Sequence, residues 1–307
     1  MKHTLKITII LVILFFSAQI IGLYIINQYI DHAKTKEQGS IAAKELQFGN
    51  FIIERPPSQG IIGYILAGIL IGTVLLLFLI KLKAVRIWKL WFFLSVWFLL
   101  TFALNPLVTP TFAWLIALIF ALWKVLKPTL IIQNITEVFV YGGMGSLLVL
   151  IDGFKPWHAL MLLLLISVYD MIAVWKSKHM ITLAEFQTNS KVFAGLLIPY
   201  TRKKEKQEKR IKVTKAEKII PAKQEVHNAI LGGGDIGFPL MFAGVVMKDM
   251  MLQHTELLGF LITLIIPICV STALLILFMK SQKGKFYPAM PFLTIGCLIG
   301  YGIVLLL

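Results

Sequence analysis

Apolar runs of about 17–25 residues, each long enough to cross a bilayer, recur along the whole chain. Of its 307 residues, 58% are hydrophobic and only 15% are charged, a composition too apolar for a soluble globular protein. The sequence therefore predicts an all-α polytopic membrane protein. Its net charge of +15 falls in short stretches between the apolar runs, as in membrane proteins, so no nucleic-acid partner is expected.

Nine spans can be counted, and the charges of their connections agree with a single orientation. Basic stretches without acidic residues, such as 81–89 and 280–285, alternate with neutral ones, and the positive-inside rule places the basic ones in the cytoplasm. This alternation puts the N-terminus in the cytoplasm and the C-terminus outside. The predicted spans are residues 5–30, 61–80, 87–105, 110–126, 129–151, 156–176, 227–248, 257–280 and 286–306.

The most basic connection divides the chain into three parts. Residues 1–176 are predicted to form a six-helix N-terminal bundle, 177–226 a basic cytoplasmic loop, and 227–307 a three-helix C-terminal part. Over 202–218, nine Lys or Arg residues stand against three Glu residues, a run expected to solvate a mobile loop and touch anionic headgroups. The apolar stretch 192–200 is too short to span and is predicted to be an interfacial or re-entrant segment.

Ionisable groups are rare inside the apolar runs, and two of them are aspartates. Asp170 lies in the sixth predicted span and Asp235 in the seventh. A carboxylate in hydrocarbon is costly, so each is expected to face the protein interior or a water-filled cavity and to have a function there. A helix rise of about 1.5 Å per residue places the two acids at similar depths in antiparallel helices.

The residues around Asp235 favour a reaction site. Gly232, Gly233 and Gly234 have no side chains and would let a neighbouring helix approach closely. Pro239 cannot donate the hydrogen bond that would reach the Asp235 carbonyl, which loosens the helix at this point.

Two carboxylates at one level permit two kinds of function. Like charges so close cannot both ionise easily, so the pair would share a proton. One acid would then act as general base on a water molecule and the other as general acid toward a carbonyl oxygen, which is the chemistry of aspartic proteolysis. The same acids could instead form the proton relay or ion site of a transporter or channel. The two acids alone support hydrolysis and transport equally.

Three short motifs separate these alternatives. They are Tyr169-Asp170 in the sixth span, Gly232-Gly233-Gly234-Asp235 in the seventh and Pro288-Ala289-Met290-Pro291 at the start of the ninth. In this order and on these spans they resemble the YD, GxGD and PAL signatures of the presenilin and signal peptide peptidase family. The nine spans and the long loop after the sixth also match that family. Moreover, the acids and proline breaks crowd into the second half of the chain, unlike the inverted repeats of a transporter.

The resemblance implies an intramembrane-cleaving aspartyl protease whose catalytic pair is Asp170 and Asp235. Tyr169 would line the site, the substrates would be transmembrane segments or signal peptides in the lipid bilayer, and no metal or organic cofactor is implied. The short chain looks most like the archaeal homologues, which implies a multi-pass protein of a prokaryotic cell membrane and is compatible with a homo-oligomer. Met290 stands where the family usually has Leu, a change that nearly keeps volume and polarity.

The third motif has two interpretations. Pro288 and Pro291 prevent regular helix at the mouth of the ninth span, so backbone groups from Pro288 through Ala289 to Met290 would stay unpaired and could hold an unwound substrate strand. Alternatively, the motif is only a helix start with proline in its first turn. The resemblance favours the first interpretation.

Other polar features receive structural interpretations. Glu137 in the fifth span falls in no family motif and is interpreted as a structural hydrogen-bonding acid beside Gln133 and Asn134, with tuning of the site as the alternative. The small residues around 141–145 are interpreted as helix packing. The chain has no His-Glu-x-x-His and no buried His to match Ser146, so metalloprotease and serine protease mechanisms are set aside.

Overall fold

The computed structural model describes residues 5–55, 60–177, 179–201, 226–282 and 287–307. Helices dominate, as predicted, and four short strands form two antiparallel pairs. The helices are α1 (Leu5–Gln28), α2 (His32–Gln38), α3 (Ile61–Lys81), α4 (Val85–Leu104), α5 (Pro110–Leu126), α6 (Leu130–Leu148), α7 (Pro156–Met171), α8 (His179–Asn189), α9 (Gly233–Gln253), α10 (Glu256–Thr263), α11 (Ile265–Lys280) and α12 (Met290–Val304). The strands are β1 (Leu46–Phe48), β2 (Phe51–Ile53), β3 (Gly195–Thr201) and β4 (Val226–Gly232).

Several helices have the length and apolarity needed to cross a membrane. Five helical segments meet both requirements, namely α1, α3, α4, Pro156–Lys176 and Glu256–Lys280, while α5 and α12 are apolar but shorter. Large apolar side chains cover the outside of the bundle, as on α3, where Ile71 is 67% exposed. Such a surface is stable in lipid, so the protein is an integral multi-pass membrane protein. The nine-span count and its orientation stay predictions.

Helix α9 occupies the centre of the bundle. Every residue from Pro239 to Lys248 is buried, and α1, α6, α7 and α12 pack around the helix. A helix that is mostly apolar on all sides is stable where either protein or lipid surrounds it. Helix α3 is the opposite case, because only 11% of its most apolar 18-residue window is buried. The core is therefore built on α9, while α3 faces lipid on most sides.

Helix α6 approaches two neighbours closely through its glycines. A Cβ atom built on Gly142 would lie 2.5 Å from the Ile25 side chain of α1. On another face, a Cβ on Gly143 would lie 1.9 Å from the Leu99 carbonyl oxygen of α4. The interpretation of the small residues at 141–145 as helix packing is confirmed.

The seventh span was predicted to cover residues 227–248, and its predicted start is wrong. Residues Val226–Gly232 form β4, and α9 begins only at Gly233. Asp235 therefore lies in the first turn of its helix and not several turns inside it. The estimate of its depth from helix rise was wrong for the same reason, since a strand advances farther per residue than a helix does.

The segment 192–200, predicted to be interfacial or re-entrant, is mainly a paired strand, and its position relative to the membrane stays a prediction. Most of it belongs to β3, which pairs with β4 in an antiparallel register that runs from Gly195↔Gly232 to Thr201↔Val226. A short apolar run has no periodicity that separates a paired strand from a buried helix, so its partner decides the structure.

The eighth predicted span, 257–280, consists of two helices. Helix α10 ends at Thr263 and α11 begins at Ile265. Pro267 has no N–H to donate to the Thr263 carbonyl, and its ring crowds that oxygen, so the helix breaks at this point.

The two long connections also contain secondary structure. The connection between the first two spans carries α2 and the β1–β2 pair. The connection between the sixth and seventh spans carries α8, β3 and part of β4. The basic run 202–218, for which a mobile loop was predicted, lies outside the described residues.

We expect Gly143→Ala to lower the stability of the protein by about 1–3 kcal/mol, because its Cβ would overlap the Leu99 carbonyl oxygen and push α4 away. Gly72→Ala on α3 is the matched control, since no atom of the described residues lies within 4 Å of a Cβ there. This control should be neutral or stabilising by up to about 1 kcal/mol. Thermal unfolding of the purified protein in detergent measures both changes, and equal melting temperatures would contradict the packing described.

Candidate active site

Asp170 lies in the last turn of α7 and is only 4% exposed. Directly after α7 the chain makes a π-helical turn, Ile172–Lys176. Such turns are rare and often occur at functional sites, because the wider turn leaves backbone groups differently directed. The predicted motif Tyr169-Asp170 therefore stands where regular α-helix ends.

The first turn of α12 holds the Asp170 side chain. The Met290 N–H donates to Asp170 Oδ2 at 3.1 Å. One turn earlier in α7, the Ser167 hydroxyl lies 2.7 Å from the Thr294 hydroxyl of α12. The first N–H groups of a helix have no partner inside it, so α12 has a donor to offer where it begins. The two antiparallel helices are thus joined by polar contacts on successive turns.

The Pro288-Ala289-Met290 motif combines features of both interpretations made from the sequence. Pro291 stands in the first turn of α12, as expected of a helix start. Pro288 and Ala289 stay outside the helix. The N–H of Met290 is occupied by Asp170 and is not open to a substrate.

Asp235 is the third residue of α9 and is half-buried. β4 leads into the helix through Gly232, whose backbone is extended. The Gly232 N–H lies within hydrogen-bonding reach of the Asp235 carboxylate. The N-terminus of a helix carries a partial positive charge that stabilises a nearby carboxylate.

Two hydrogen bonds hold the start of α9 in place. The Gly233 N–H donates to the Ala194 carbonyl, directly before β3, at 3.1 Å. Gln19 of α1, which is 1% exposed, donates through Nε2 to the Ile236 carbonyl at 2.9 Å. Gln19 was not among the site residues predicted from the sequence. An amide inside an apolar run was an available signal, because such groups persist only where they find a partner.

The three glycines before Asp235 have different surroundings. A Cβ on Gly233 would lie 2.9 Å from the Tyr141 hydroxyl of α6, so this glycine allows close helix approach as predicted. A Cβ on Gly232 would meet only Asp235, and one on Gly234 would meet only a residue of its own helix. The predicted approach of a neighbouring helix is therefore wrong for these two.

The two carboxylates converge although they come from different helices. Asp170 stands near the end of α7 and Asp235 near the start of α9, and their charges are close enough to interact. Tyr169 reaches α3, where its hydroxyl lies 3.2 Å from the Thr73 hydroxyl. Among the described residues, no group of three or more His, Cys, Asp or Glu side chains is arranged to hold a metal ion.

Glu137 is a buried hydrogen-bonding acid, as interpreted from the sequence. Its carboxylate pairs with the Lys124 ammonium of α5 and accepts a hydrogen bond from the Tyr141 hydroxyl. Gln133 and Asn134 bind β3 instead. Lys124 was not predicted as a partner, because a lysine near the end of a span is expected to mark a cytoplasmic turn.

Amide side chains of α6 close the outer edge of β3. Gln133 Nε2 donates to the carbonyls of Phe193 and Gly195 at 2.7 and 2.9 Å. Asn134 donates to the Leu197 carbonyl and accepts from the Leu197 N–H, both at 2.9 Å. Leu197 therefore turns its N–H and C=O away from β4.

The outer edge of β4 is open by contrast. Ile230 lies opposite Leu197, and the two residues form a non-hydrogen-bonded pair of the antiparallel ladder. In such a pair, the N–H and C=O of both residues point away from the partner strand. Within the part of the chain that the structure describes, no protein group bonds to the N–H or C=O of Ile230. β4 continues from there to Gly232 and Asp235, so an open strand edge leads directly to the carboxylates.

Comparisons with known proteins identify the family. The sequence profile of the family described as signal-peptide peptidase, presenilin aspartyl protease matches residues 40–307. The chain belongs to this family. The match covers every helix after α2 and includes both aspartates. No curated protein sequence matches the chain significantly.

Solved structures of the same family have a similar fold. A presenilin family intramembrane aspartate protease in a C222 crystal form is 18% identical, with a TM-score of 0.56 over 96% of this chain and 99% of that chain. The P2 crystal form of such a protease is 19% identical, with a TM-score of 0.56 over 96% of each chain. This likeness concerns the fold, and the family assignment comes from the sequence match.

Membership of this family makes the protein an intramembrane aspartyl protease, which hydrolyses peptide bonds of substrates within the membrane. The resemblance identified from the three motifs is confirmed. Neither comparison favours the transporter alternative that the two acids alone left open.

Proposed function

We propose that Asp170 and Asp235 are the catalytic pair of this protease. The observation that carries the proposal is the approach of two carboxylates inside an apolar bundle, one from the end of α7 and one from the start of α9. Two carboxylates that interact in an apolar bundle do not both ionise easily, so we propose that the pair shares one proton. A carboxylate and a carboxyl group side by side supply a base and an acid at one place.

The proposed reaction needs only this pair and a water molecule. The ionised carboxylate takes a proton from the water as the water oxygen attacks the peptide carbonyl carbon. The carboxyl group gives its proton to the carbonyl oxygen, and a tetrahedral diol forms. Transfer of a proton to the amide nitrogen then breaks the C–N bond and releases the two product chains. The Met290 N–H orients Asp170 for these transfers.

The substrate must present an unwound segment, because a helix buries its peptide bonds in its own hydrogen bonds. We place this segment on the open edge of β4, where Ile230 offers an outward N–H and C=O. Strand addition there would carry the following substrate residues past Gly232 and Asp235. Gly234 is exposed and has no Cβ, which leaves room for the substrate backbone.

Residues around this path complete the proposed substrate site. Tyr169 lines it beside Asp170, and Pro288 and Ala289 line it where α12 begins. Gly233 shapes it through its contact with Tyr141. Met290 acts through Asp170.

The proposed topology has nine membrane spans, a cytoplasmic N-terminus and an outer C-terminus. Three basic residues where α3 ends and α4 begins, namely Lys81, Lys83 and Arg86, support it through the positive-inside rule. Single cysteines at Lys83 and Asp152, in a chain without its native cysteines, should react with an impermeant reagent from opposite sides of the membrane. Labelling of both from one side would contradict this topology.

The proposed substrates are transmembrane segments or signal peptides in a prokaryotic cell membrane. The short chain and its resemblance to the archaeal homologues support this setting. Cleavage of a single-span reporter peptide in liposomes, with the cut sites located by mass spectrometry, tests the substrate class. Cuts confined to residues outside the span would contradict it.

Asp170→Asn and Asp235→Asn should each lower cleavage of a single-span reporter by at least about 1,000-fold, because Asn keeps the shape of Asp but cannot exchange its proton. The assay compares purified variants in detergent or liposomes. Glu37→Gln, which changes an exposed acid on α2, is the control and should cleave like the wild type. Substantial cleavage by either Asn variant would rule out a two-aspartate mechanism.

Ile230→Pro should lower kcat/KM for the reporter by at least about tenfold, because it removes the outward N–H of β4 but no hydrogen bond to β3. Leu231→Pro is the matched comparison. Its N–H faces β3, so it should also lower the melting temperature, whereas Ile230→Pro should leave the melting temperature nearly unchanged. Wild-type cleavage by Ile230→Pro would place the substrate elsewhere.

A further inference from the structure

A buried ion pair lies close to the proposed catalytic site and takes no part in the mechanism above. Lys124 of α5 and Glu137 of α6 are 1% and 2% exposed, and their charged groups are in direct contact. The Lys124 ammonium also lies 5.4 Å from the ring centre of Phe92 on α4. Burying two charges costs desolvation, and apolar residues in their place are often as stable. Stability alone therefore does not explain this pair.

Tyr141 connects the pair to the centre of the bundle. Its side chain is buried, and its hydroxyl donates to Glu137 Oε2. An ionised carboxylate can only accept hydrogen bonds, so the single hydroxyl proton of Tyr141 is committed to Glu137. On its other side, the Tyr141 oxygen can act only as an acceptor.

The Tyr141 side chain lies against the turn of α9 that carries Asp235. A Cβ on Gly233 would lie 2.9 Å from the Tyr141 hydroxyl oxygen, and one on Gly237 would lie 3.7 Å from its ring atom Cδ1. These glycines are four residues apart, on one face of the helix, and they flank Asp235. Tyr141 therefore contacts α9 on both sides of Asp235 in the sequence.

We propose that Tyr141 is a positioning residue for Asp235, and that the Lys124–Glu137 pair fixes the direction of its hydroxyl. This inference rests on the catalytic role proposed for Asp235. Lys124 pairs with Glu137, Glu137 accepts the hydrogen bond of the Tyr141 hydroxyl, and Tyr141 supports the first turn of α9 so that Asp235 faces its partner acid. Because the hydroxyl has no proton left to offer, it does not occupy the lone pairs of Asp235 that water and substrate require.

The first test compares Tyr141→Phe with Tyr29→Phe. Each change removes one buried tyrosine hydroxyl that donates a hydrogen bond, to Glu137 in the first case and to the Phe102 carbonyl, at 2.8 Å, in the second. Gln19 lies level with the turn that carries Asp235, because it donates to the Ile236 carbonyl. Tyr29 comes ten residues later, just after α1, which places it about 15 Å from Gln19 along the helix axis.

We expect Tyr141→Phe to lower kcat for a single-span reporter by about 10-fold or more with KM nearly unchanged. Tyr29→Phe should lower only the melting temperature. A wild-type kcat for Tyr141→Phe, or equal losses for the two variants, would overturn the proposal.

The second test separates the hydrogen bond from the ion pair. Lys124→Met with Glu137→Gln removes both charges but keeps a carbonyl oxygen that can accept the Tyr141 proton. Lys124→Met with Glu137→Leu removes the charges and the acceptor. The first double variant should keep kcat within about threefold of wild type, and the second should lose as much as Tyr141→Phe. Equal kcat values for the two double variants would overturn the proposal.

Two single changes complete the design. Glu137→Gln alone should keep substantial proteolysis, because Gln still accepts from Tyr141, and total loss would contradict this role. Gly233→Ala should lower kcat less in a Tyr141→Phe background than in the wild type, because the phenylalanine has no oxygen at the crowded position. Strict additivity of these two changes would show that the contact does not position the turn.

The outcome also separates this inference from the proposed function. If Asp235→Asn still cleaves the reporter, the catalytic assignment fails. If Asp235→Asn is inactive while Tyr141→Phe retains the wild-type kcat, only the positioning role fails.

Discussion

The constraint on which this structure depends is that two acidic side chains, Asp170 and Asp235, must be accommodated in one region of a bundle surrounded by lipid. Lipid offers no hydrogen bonds, so the groups that stabilise them must come from the protein itself. Helix ends meet this need, because their first N–H groups have no partner in their own helix. Helix α12 begins at the residue whose N–H meets Asp170, and α9 begins two residues before Asp235. The site therefore lies where α7 ends and where α9 and α12 begin.

Helix α6 organises the polar groups around this site. Gln133 and Asn134 close the outer edge of β3, while Glu137 and Tyr141, on the following turns, connect α5 to α9. An open strand edge is costly at membrane depth unless it faces protein, a cavity or another chain. Because β3 is closed and β4 is open, a strand added as proposed would pair with the edge that leads to Asp235. In the proposed mechanism, substrate placement and support of the turn that carries Asp235 thus both depend on α6.

Local sequence was informative wherever the solvation cost of single residues decides their environment. The apolar runs predicted α3, α4 and α5 to within two residues at each end. Asp170 and Asp235 could be identified as functional candidates because a carboxylate in hydrocarbon is retained only for a reason. The start of α9 could not be predicted, because 226–232 has no pattern that distinguishes a paired strand from a buried helix until β3 is known.

The sequence by itself determined that this is a helical membrane protein, and its motifs identified the family. Both could be predicted because the free energy of transferring a segment into lipid, and the match to a short motif, depend on residues that are close together in the sequence. Only the tertiary structure decided which groups meet the two aspartates. It joined Gln19 to the Ile236 carbonyl. It also buried Lys124 against Glu137, although a lysine near the end of a span is expected to lie at the cytoplasmic surface. It also set Tyr141 against Gly233. These contacts join residues that lie far apart in the chain, and they follow from how whole helices pack, which no local pattern encodes.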